Sequence, residues 1–451
     1  MEYRYRDASE MKDSGVEWIG KIPNDWTKTK VGYLANYING YPFKPTQWSN
    51  VGYKIIRIQN LTNQNQTFNM YNGEIDKKYI IVKGDILISW SATLDTFIWN
   101  LNEKAVLNQH IFKVEPYLNT ITKEYYLWLA KWFILEMGNS KHGSTMQHVT
   151  KEIFEKFVVY IPKIKEQKKL SDFLDKKASQ FDLIISKKEA LIEKLEEAKK
   201  SLISEVVTGK VKVVKTDDGY DLVKRSSDEM KDSGIEWLGE IPKDWKFTRL
   251  KYIINTTKGY AFKTELFKGT GIPIIKASDI KNGTVLKGSI CISEELYNQY
   301  KKVVLNEGDI IMSTVGSTPD VVNSAVGQLA KVPKNIEGSL LNQNTVILRP
   351  NKRIINEFLF MQLKGHKFRK YLDLYAHGTA NQASLTLKEV LEFPIVEPTI
   401  QLQKNISMYL ENKLRNIENM ITKTKLQIKK IKEAKQSLIS EAVTGKIEIL
   451  D

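Results

Sequence analysis

The chain is written twice. Residues 11–26, MKDSGVEWIGKIPNDW, return at 230–245 as MKDSGIEWLGEIPKDW, identical at 12 of 16 positions. Residues 196–211, EEAKKSLISEVVTGKV, return at 432–447 as KEAKQSLISEAVTGKI, again with 12 of 16 identical. Self-similarity at a long fixed spacing means repeated structural units, and it constrains the fold before any local pattern is read. The chain is two tandem copies of one module, about 1–210 and 220–451.

What lies between the echoes diverges. Gly40-Tyr41-Pro42-Phe43-Lys44 aligns with Gly259-Tyr260-Ala261-Phe262-Lys263 at an offset of 219, and Arg57 and Asn60 then meet Lys276 and Asp279. Further on the offset grows: Gly84-Asp85 matches Gly308-Asp309, Leu107-Asn108-Gln109 matches Leu341-Asn342-Gln343, and 143–147 matches 378–382. A common scaffold therefore carries loops of different length and chemistry. Strand-like runs at Tyr53–Ile58, Asp85–Trp90, Ile272–Lys276, Asp309–Thr314 and Asn344–Leu348 are bounded by turn residues, and helical patches lie at 123–137 and 355–372. Each interior reads as an α+β domain of about 130–150 residues, enough for one core.

After each interior comes a helical stretch free of Pro and Gly, about 165–207 and 401–443. Leu174, Ala178, Phe181, Ile185, Lys188, Ile192, Leu195, Lys199 and Leu202 alternate spacings of four and three. Leu410, Leu414, Ile417, Ile421, Thr424, Ile428, Ile431, Lys435 and Leu438 do the same. Seven of nine positions in each set are apolar, which is a coiled-coil seam. At ~1.5 Å per residue each helix is about 60–65 Å long. An antiparallel pairing of the two gives a pseudo-two-fold arrangement with the α+β domains at opposite ends; the alternative is that each helix packs on its own domain. Lys188/Thr424 and Lys199/Lys435 interrupt the seam at equivalent points, to fix register or to face a partner. Gly209 and Gly445 are the expected helix stops.

Composition sets the setting. Of 451 residues, 42% are hydrophobic and 27% charged, so there is material for packed cores. Apolar runs such as Phe157–Ile161 fall far short of the ~20 residues of a membrane span. The opening MEYRYRDASEMKD has no apolar stretch, and the expectation is a soluble, cytoplasmic protein. One cysteine, Cys291, excludes an intrachain disulfide framework. An excess of 68 Lys+Arg over 53 Asp+Glu, +15 in all, favours a polyanionic partner.

The alternation of two near-identical frames with two variable interiors resembles the specificity subunit of Type I restriction–modification systems. The resemblance covers nearly the whole chain and is carried by Gly15–Trp26 with Gly234–Trp245 and by Ala198–Lys210 with Ala434–Lys446. It implies that the interiors are target recognition domains, each reading one half of a bipartite double-stranded DNA site. It implies helices that hold the domains apart and dock methyltransferase subunits, two of them expected, together with restriction/translocase subunits. The partners, not this chain, would then use S-adenosylmethionine, ATP and Mg. The expected layout is a first recognition domain at 1–162, a long helix at 163–210 and a linker at 211–229. A second recognition domain at 230–398 and a second long helix at 399–451 follow. Because the two interiors differ, the DNA site should be asymmetric.

Half-site readers place polar side chains against base edges and basic ones on phosphates. In the first reader the polar loop containing His142, Ser144, Thr145, Gln147 and His148 is a candidate. Its counterpart holds His377, Thr379, Asn381 and Gln382. A solvated turn is the alternative for both. Lys44 and Lys263 are candidate phosphate contacts, while Tyr41, Phe43, Tyr260 and Phe262 beside them read as packing. Arg57 with Asn60, and Lys276 with Ser278, sit at strand ends that either face DNA or are merely solvated. Ser89 and Ser91, then Thr314 and Ser317, complete the set; Trp90 reads as core. Trp18, Trp26, Trp237 and Trp245 read as anchors between domain and helix, with a partner interface as the second reading.

Catalysis is not expected of this chain. Thr208-Gly209-Lys210 and Thr444-Gly445-Lys446 lack the upstream glycine and the following Ser/Thr of a phosphate loop. No Asn-Pro-Pro-aromatic tetrad of an adenine methyltransferase occurs. Glu166-Gln167-Lys168 has no acidic partner suitably upstream for a nuclease, and five scattered His with one Cys make no metal set. Two classes remain: a non-catalytic DNA-recognition subunit, or a coiled-coil scaffold whose domains bind proteins.

Overall fold

The computed structural model describes residues 2–63, 66–91, 93–139, 150–217, 219–281, 283–316, 326–379 and 382–450. They form two compact units, Met1–Glu189 with Lys425–Asp451, and Ala190–Thr424. Each unit combines one variable interior with a segment of each long helix, so the units divide inside the helices.

In the first unit, the alternation of apolar residues builds a four-stranded sheet in the order Asp95–Ile98, Ile86–Ser89, Ile111–Pro116, Ala35–Asn39. A second sheet runs Asn69–Tyr71, Tyr53–Ile56, Ala105–Leu107, Ile80–Ile81. The helix Lys123–Asn139 covers the first sheet and buries Tyr125, Tyr126, Leu129 and Phe133. The second unit repeats the plan. Ile254–Lys258, Thr345–Pro350, Ile310–Ser313 and Leu329–Lys331 form its four-stranded sheet, and Ile290–Ile292, Ile272–Ile275 and Leu340–Leu341 a three-stranded one. The single helix expected over 355–372 is two, Asn356–Leu363 and His366–Tyr375. The break falls at Gly365, which has extended backbone (φ −63°, ψ 146°) where a helix needs αR.

Each interior is closed at its root by a short antiparallel pair. Thr27–Lys30 pairs with Val158–Ile161 in the first unit, and Lys246–Arg249 with Pro394–Glu397 in the second. Both ends of an interior thus lie side by side.

The long helices are Ile164–Val207 and Ile400–Val443, within one residue of the boundaries read from the sequence. All 18 positions of the predicted seams are buried or half-buried. Leu183, Ile184, Leu191, Met420 and Leu426, off the seam, are exposed. Within the first unit the two helix segments run in opposite directions. Asp182 takes Lys435 at 2.7 Å, and Lys188 donates to Gln427 at 2.8 Å. In the second, Lys199 meets Glu418 at 2.7 Å. The three seam lysines are therefore answered from the opposite helix, while Thr424 donates to the Met420 carbonyl of its own helix.

The repeated motifs meet crosswise. The first helix ends on Gly209 (φ +75°), with Lys210 N–H donating to Glu205 and Gly209 N–H to Val206. The second ends on Gly445 (φ +73°) with the same two bonds to Glu441 and Ala442. This is a Schellman ending, which satisfies carbonyls the helix leaves open. Gly209 lies against Pro242 and Trp245, and Gly445 against Pro23 and Trp26. The tail motif of each copy thus packs on the head motif of the other, and Trp26 and Trp245 are each only 2% exposed. Both are anchors, as read; Trp18, at 53%, stays in solvent. The strand that follows closes the junction: Ile447–Ile449 pairs with Tyr3–Tyr5, and Val211–Thr216 pairs with Gly219–Lys224.

Gln167, the middle residue of the Glu-Gln-Lys run, and its counterpart Gln403 have a structural role. Each is fully buried and clamps a helix start: Gln167 accepts from Thr122 N–H and donates to the Thr120 and Pro162 carbonyls. Gln403 does the same with Ile355, Arg353 and Pro398.

Candidate nucleic-acid interface

The Gly-Tyr-x-Phe-Lys turn and the Leu-Asn-Gln run, far apart in each copy, are neighbours in both units. Tyr41 bridges to Asn108 and Tyr260 to Asn342. Phe43 and Phe262 are buried behind the turns, with Tyr71 and Tyr300 rings 5.0 and 4.9 Å away. Lys44 and Lys263 then stand exposed at the start of short helical turns. Aromatic packing is thus what projects the two lysines.

Arg57 lies at the end of strand Tyr53–Ile56, half-buried, with its guanidinium 5.6 Å over the partly exposed Trp48 ring. Its Nη1 reaches Asn69 at 3.4 Å. A guanidinium held over an aromatic face loses less rotational freedom when it meets an anion. In the second unit Lys276 and Phe267 take these places at the 219 offset. Ser278 beside Lys276 is exposed.

Three candidates turn inward. Asn60 is 7% exposed; it accepts the Arg57 N–H at 3.1 Å and donates to the Thr67 carbonyl, so it caps the turn and does not face a ligand. Asp279 accepts from Lys276 N–H in the same way at 2.8 Å. Ser89 is fully buried and hydrogen-bonds Thr93 and Asp95, because both faces of its strand are covered. Ser91 is buried as well. Trp90 stacks on Phe112 at 5.8 Å and donates to Asn39, a packed residue as expected.

Two separated candidate segments of the second unit come together. Val315–Gly316, next to half-buried Thr314, pairs with Gln382–Ser384, which pairs with His377–Thr379. The backbone of His377, Thr379 and Gln382 therefore lies in one small sheet. His142, Ser144, Thr145, Gln147, His148, Ser317 and Asn381 lie outside the described residues.

Among the described residues no group of three or more His, Cys, Asp or Glu is placed to hold a metal ion. No described helix is long and apolar enough to cross a membrane.

Residues 23–196 and 242–430 match the family model of the Type I restriction modification DNA specificity domain. The chain belongs to this family. It is 25% identical over 449 residues to the Type I restriction enzyme MjaVIII specificity subunit of Methanocaldococcus jannaschii, covering 95% of this chain and 94% of that one. It is 24% identical over 447 residues to the EcoBI specificity subunit of Escherichia coli, covering 98% and 90%. A chain of a type I R-M system, solved for its complex assembly and conformational transition, superposes with a TM-score of 0.64 at 14% identity. That match covers 94% of this chain and 99% of the other. As a Type I specificity subunit the chain is non-catalytic, and the duplicated domains are the two DNA specificity domains of the family.

Sequence reasoning passed over the Trp48–Arg57 pair and a set of lysines where each domain meets the long helices. Aligning Glu124–Lys131 with Glu357–Lys364 would have found the latter, since both segments end in lysine at an offset of 233.

Proposed function

We infer that each specificity domain reads one half of an asymmetric, interrupted DNA site. The long helices form an antiparallel coiled coil that spaces the domains and docks two methyltransferase subunits, with restriction/translocase subunits completing the assembly. S-adenosylmethionine, ATP and Mg serve those partners. The observation that carries this reading is a duplicated frame with cations at matching half-buried or exposed points. Arg57 over Trp48 in one unit answers Lys276 in the other, and Lys44 answers Lys263. Their chemistry suits phosphates, while Ser278, Thr314 and the polar loops at 142–148 and 377–382 supply the groups that distinguish bases.

The test is the affinity of the assembled complex for duplex DNA across a salt series. Released counterions make log K fall linearly with log salt. Arg57→Ala and Lys276→Ala should each weaken binding across sequences and flatten the slope by about one unit for each phosphate no longer bound. Salt-insensitive binding, or none, would favour a protein-binding scaffold.

A further inference from the structure

Both units hold a cavity at the same place, where the domain helix and the outer strand of the four-stranded sheet face a long helix. In the first unit it measures about 730 Å³ and in the second about 420 Å³. Several lining positions correspond. Asp95 and Gln328 both lie opposite the buried serine that ends the central strand, Ser89 or Ser313. Lys131 answers Lys364, and Gln436 answers Lys200.

The chemistry is not the same. The first cavity sets Asp95, Glu136, Asp182 and Glu433 against Lys131, Lys432 and Lys435, a lining whose charges cancel or lean acidic. The second is lined by Lys200, Lys364, His366 and Arg369, and no carboxylate is among its lining residues. Three changes at equivalent positions contribute: Gln328 stands where Asp95 stands, Arg369 where Glu136 stands, and Lys200 where Gln436 stands, while the counterparts of Asp182 and Glu433 do not line the second cavity.

Lys364 and Lys200 make no ion pair among the described residues. The carboxylates whose charge reaches Lys364, Glu418 and Glu196, lie on the long helices, and Glu418 is already taken by Lys199 at 2.7 Å. Burial, then the charge of Lys199, holds the Lys364 ammonium below the ordinary lysine range. Its Nζ sits 5.3 Å from the Phe360 ring centre. Arg369 is paired with Asp373 at 2.7 Å and braced on the Val326 carbonyl, which fixes its head group. Two glycines line the cavity: a Cβ on Gly283 would sit in ordinary contact with Lys364 Nζ at 3.5 Å, and one on Gly327 would press on Leu372 Cδ1 at 2.8 Å and lie 3.4 Å from Arg369 Nη1. Arg369, held by its partners, and Lys364, its ammonium partly desolvated, with exposed Lys200 beside them, suit an anion, because an incoming charge meets donors that are in part already desolvated and oriented.

We propose that the cavity lined by Lys200, Lys364, His366 and Arg369 is an anion site for a phosphate group, and that its twin in the first unit is not. The phosphate comes either from a DNA backbone or from a free phosphate compound. The site itself does not rest on the DNA-recognition reading.

The experiment titrates the full chain with inorganic phosphate by calorimetry at constant ionic strength. One saturable site is expected. Lys200→Met/Lys364→Met should weaken it about tenfold or more, the scale of losing a charge-assisted bond. Lys131→Met, at the matching place in the first unit, should leave it unchanged. Absence of saturable phosphate binding to the wild-type chain overturns the proposal, whatever the variants do. So does equal loss in Lys131→Met. Should the double variant misfold, Lys364→Gln alone, with its fold checked by circular dichroism, replaces it. The source is read from duplex DNA binding by the complex. A salt slope flattened in the cavity variant, with Arg57 and Lys276 intact, assigns the phosphate to DNA. An unchanged slope assigns it to a free anion. A complex that fails to bind DNA would sink the functional reading and leave the phosphate titration standing.

Discussion

Gly445→Ala should destabilise the chain by about 2–5 kcal/mol. The residue holds φ at +73°, where a side-chain-bearing residue costs about 1–2 kcal/mol. A Cβ there would also lie 2.5 Å from Pro23 Cγ and Cδ and 3.0 Å from Trp26 Cζ2. Those atoms belong to rings in a packed junction, and forcing them apart costs about 1–3 kcal/mol more. Gly209→Ala meets Pro242 Cγ at 2.5 Å and Trp245 Cη2 at 2.9 Å and should lose a similar amount. The control is Gly338→Ala. Its φ is +82°, with nothing within 4 Å of the new Cβ, so only the backbone cost of about 1–2 kcal/mol applies. Urea denaturation of the full chain measures all three. Because Gly445 and Gly209 lie in different units, hydrogen exchange should loosen residues 27–160 in the first variant and 246–396 in the second. Equal losses at Gly338 and Gly445 would mean that the head-to-tail junction contributes nothing beyond backbone conformation.

This junction also shows what could be read from the sequence and what could not. The two echoed motifs announced a duplication, and a 3/4 spacing without Pro or Gly placed both long helices to within a residue. Periodicity is a local property, so it survives translation into structure. That the tail of each copy would meet the head of the other is a long-range pairing with no local signature. The helix expected across 355–372 failed for a local reason: the apolar pattern runs on through Gly365, but the backbone there does not.

Candidate contacts were harder. A short polar residue four positions beyond the last strand residue reads identically whether it faces a ligand or caps its own turn. Asn60 does the second, and so does Asp279. Ser89 misled because an alternating strand normally shows one face to solvent, whereas Ile86–Ser89 is buried on both. The cationic cavity draws on residues 200, 283, 327, 364 and 369, which only the tertiary fold brings together. Aligning the two copies marks Lys364 against Lys131, but not the cavity that Lys364 helps to line.

Replacing residues 27–160 by residues 246–396 of the same chain should turn the asymmetric recognition site into a symmetric one. The geometry permits the exchange. Thr27 pairs with Ile161 and Lys28 with Tyr160, so both cuts fall on one two-stranded root. Lys246 and Glu397, Phe247 and Val396 pair in the same register in the donor domain. The graft enters where its own root left off. The frame it must seat on, Ile22, Trp26, Leu170 and Phe173, has counterparts in Ile241, Trp245, Ile406 and Tyr409 that already pack against the donor. Tyr125, Tyr126 and Leu129 are replaced there by Phe358, Leu359 and Gln362, of comparable volume, so the cost in packing should stay modest. Under the proposed function, two identical readers on an antiparallel spacer face inverted half-sites. A per-base methylation map of cells carrying the full system should then lose one half of the original motif. It should show the other half repeated as its inverted complement, across an unchanged gap. Retention of the original asymmetric motif would mean that the grafted interior does not carry the specificity. A direct repeat would mean that the spacer does not relate the two readers by a two-fold axis. Either result separates reading from spacing, which the duplicated frame assigns to different parts of the chain.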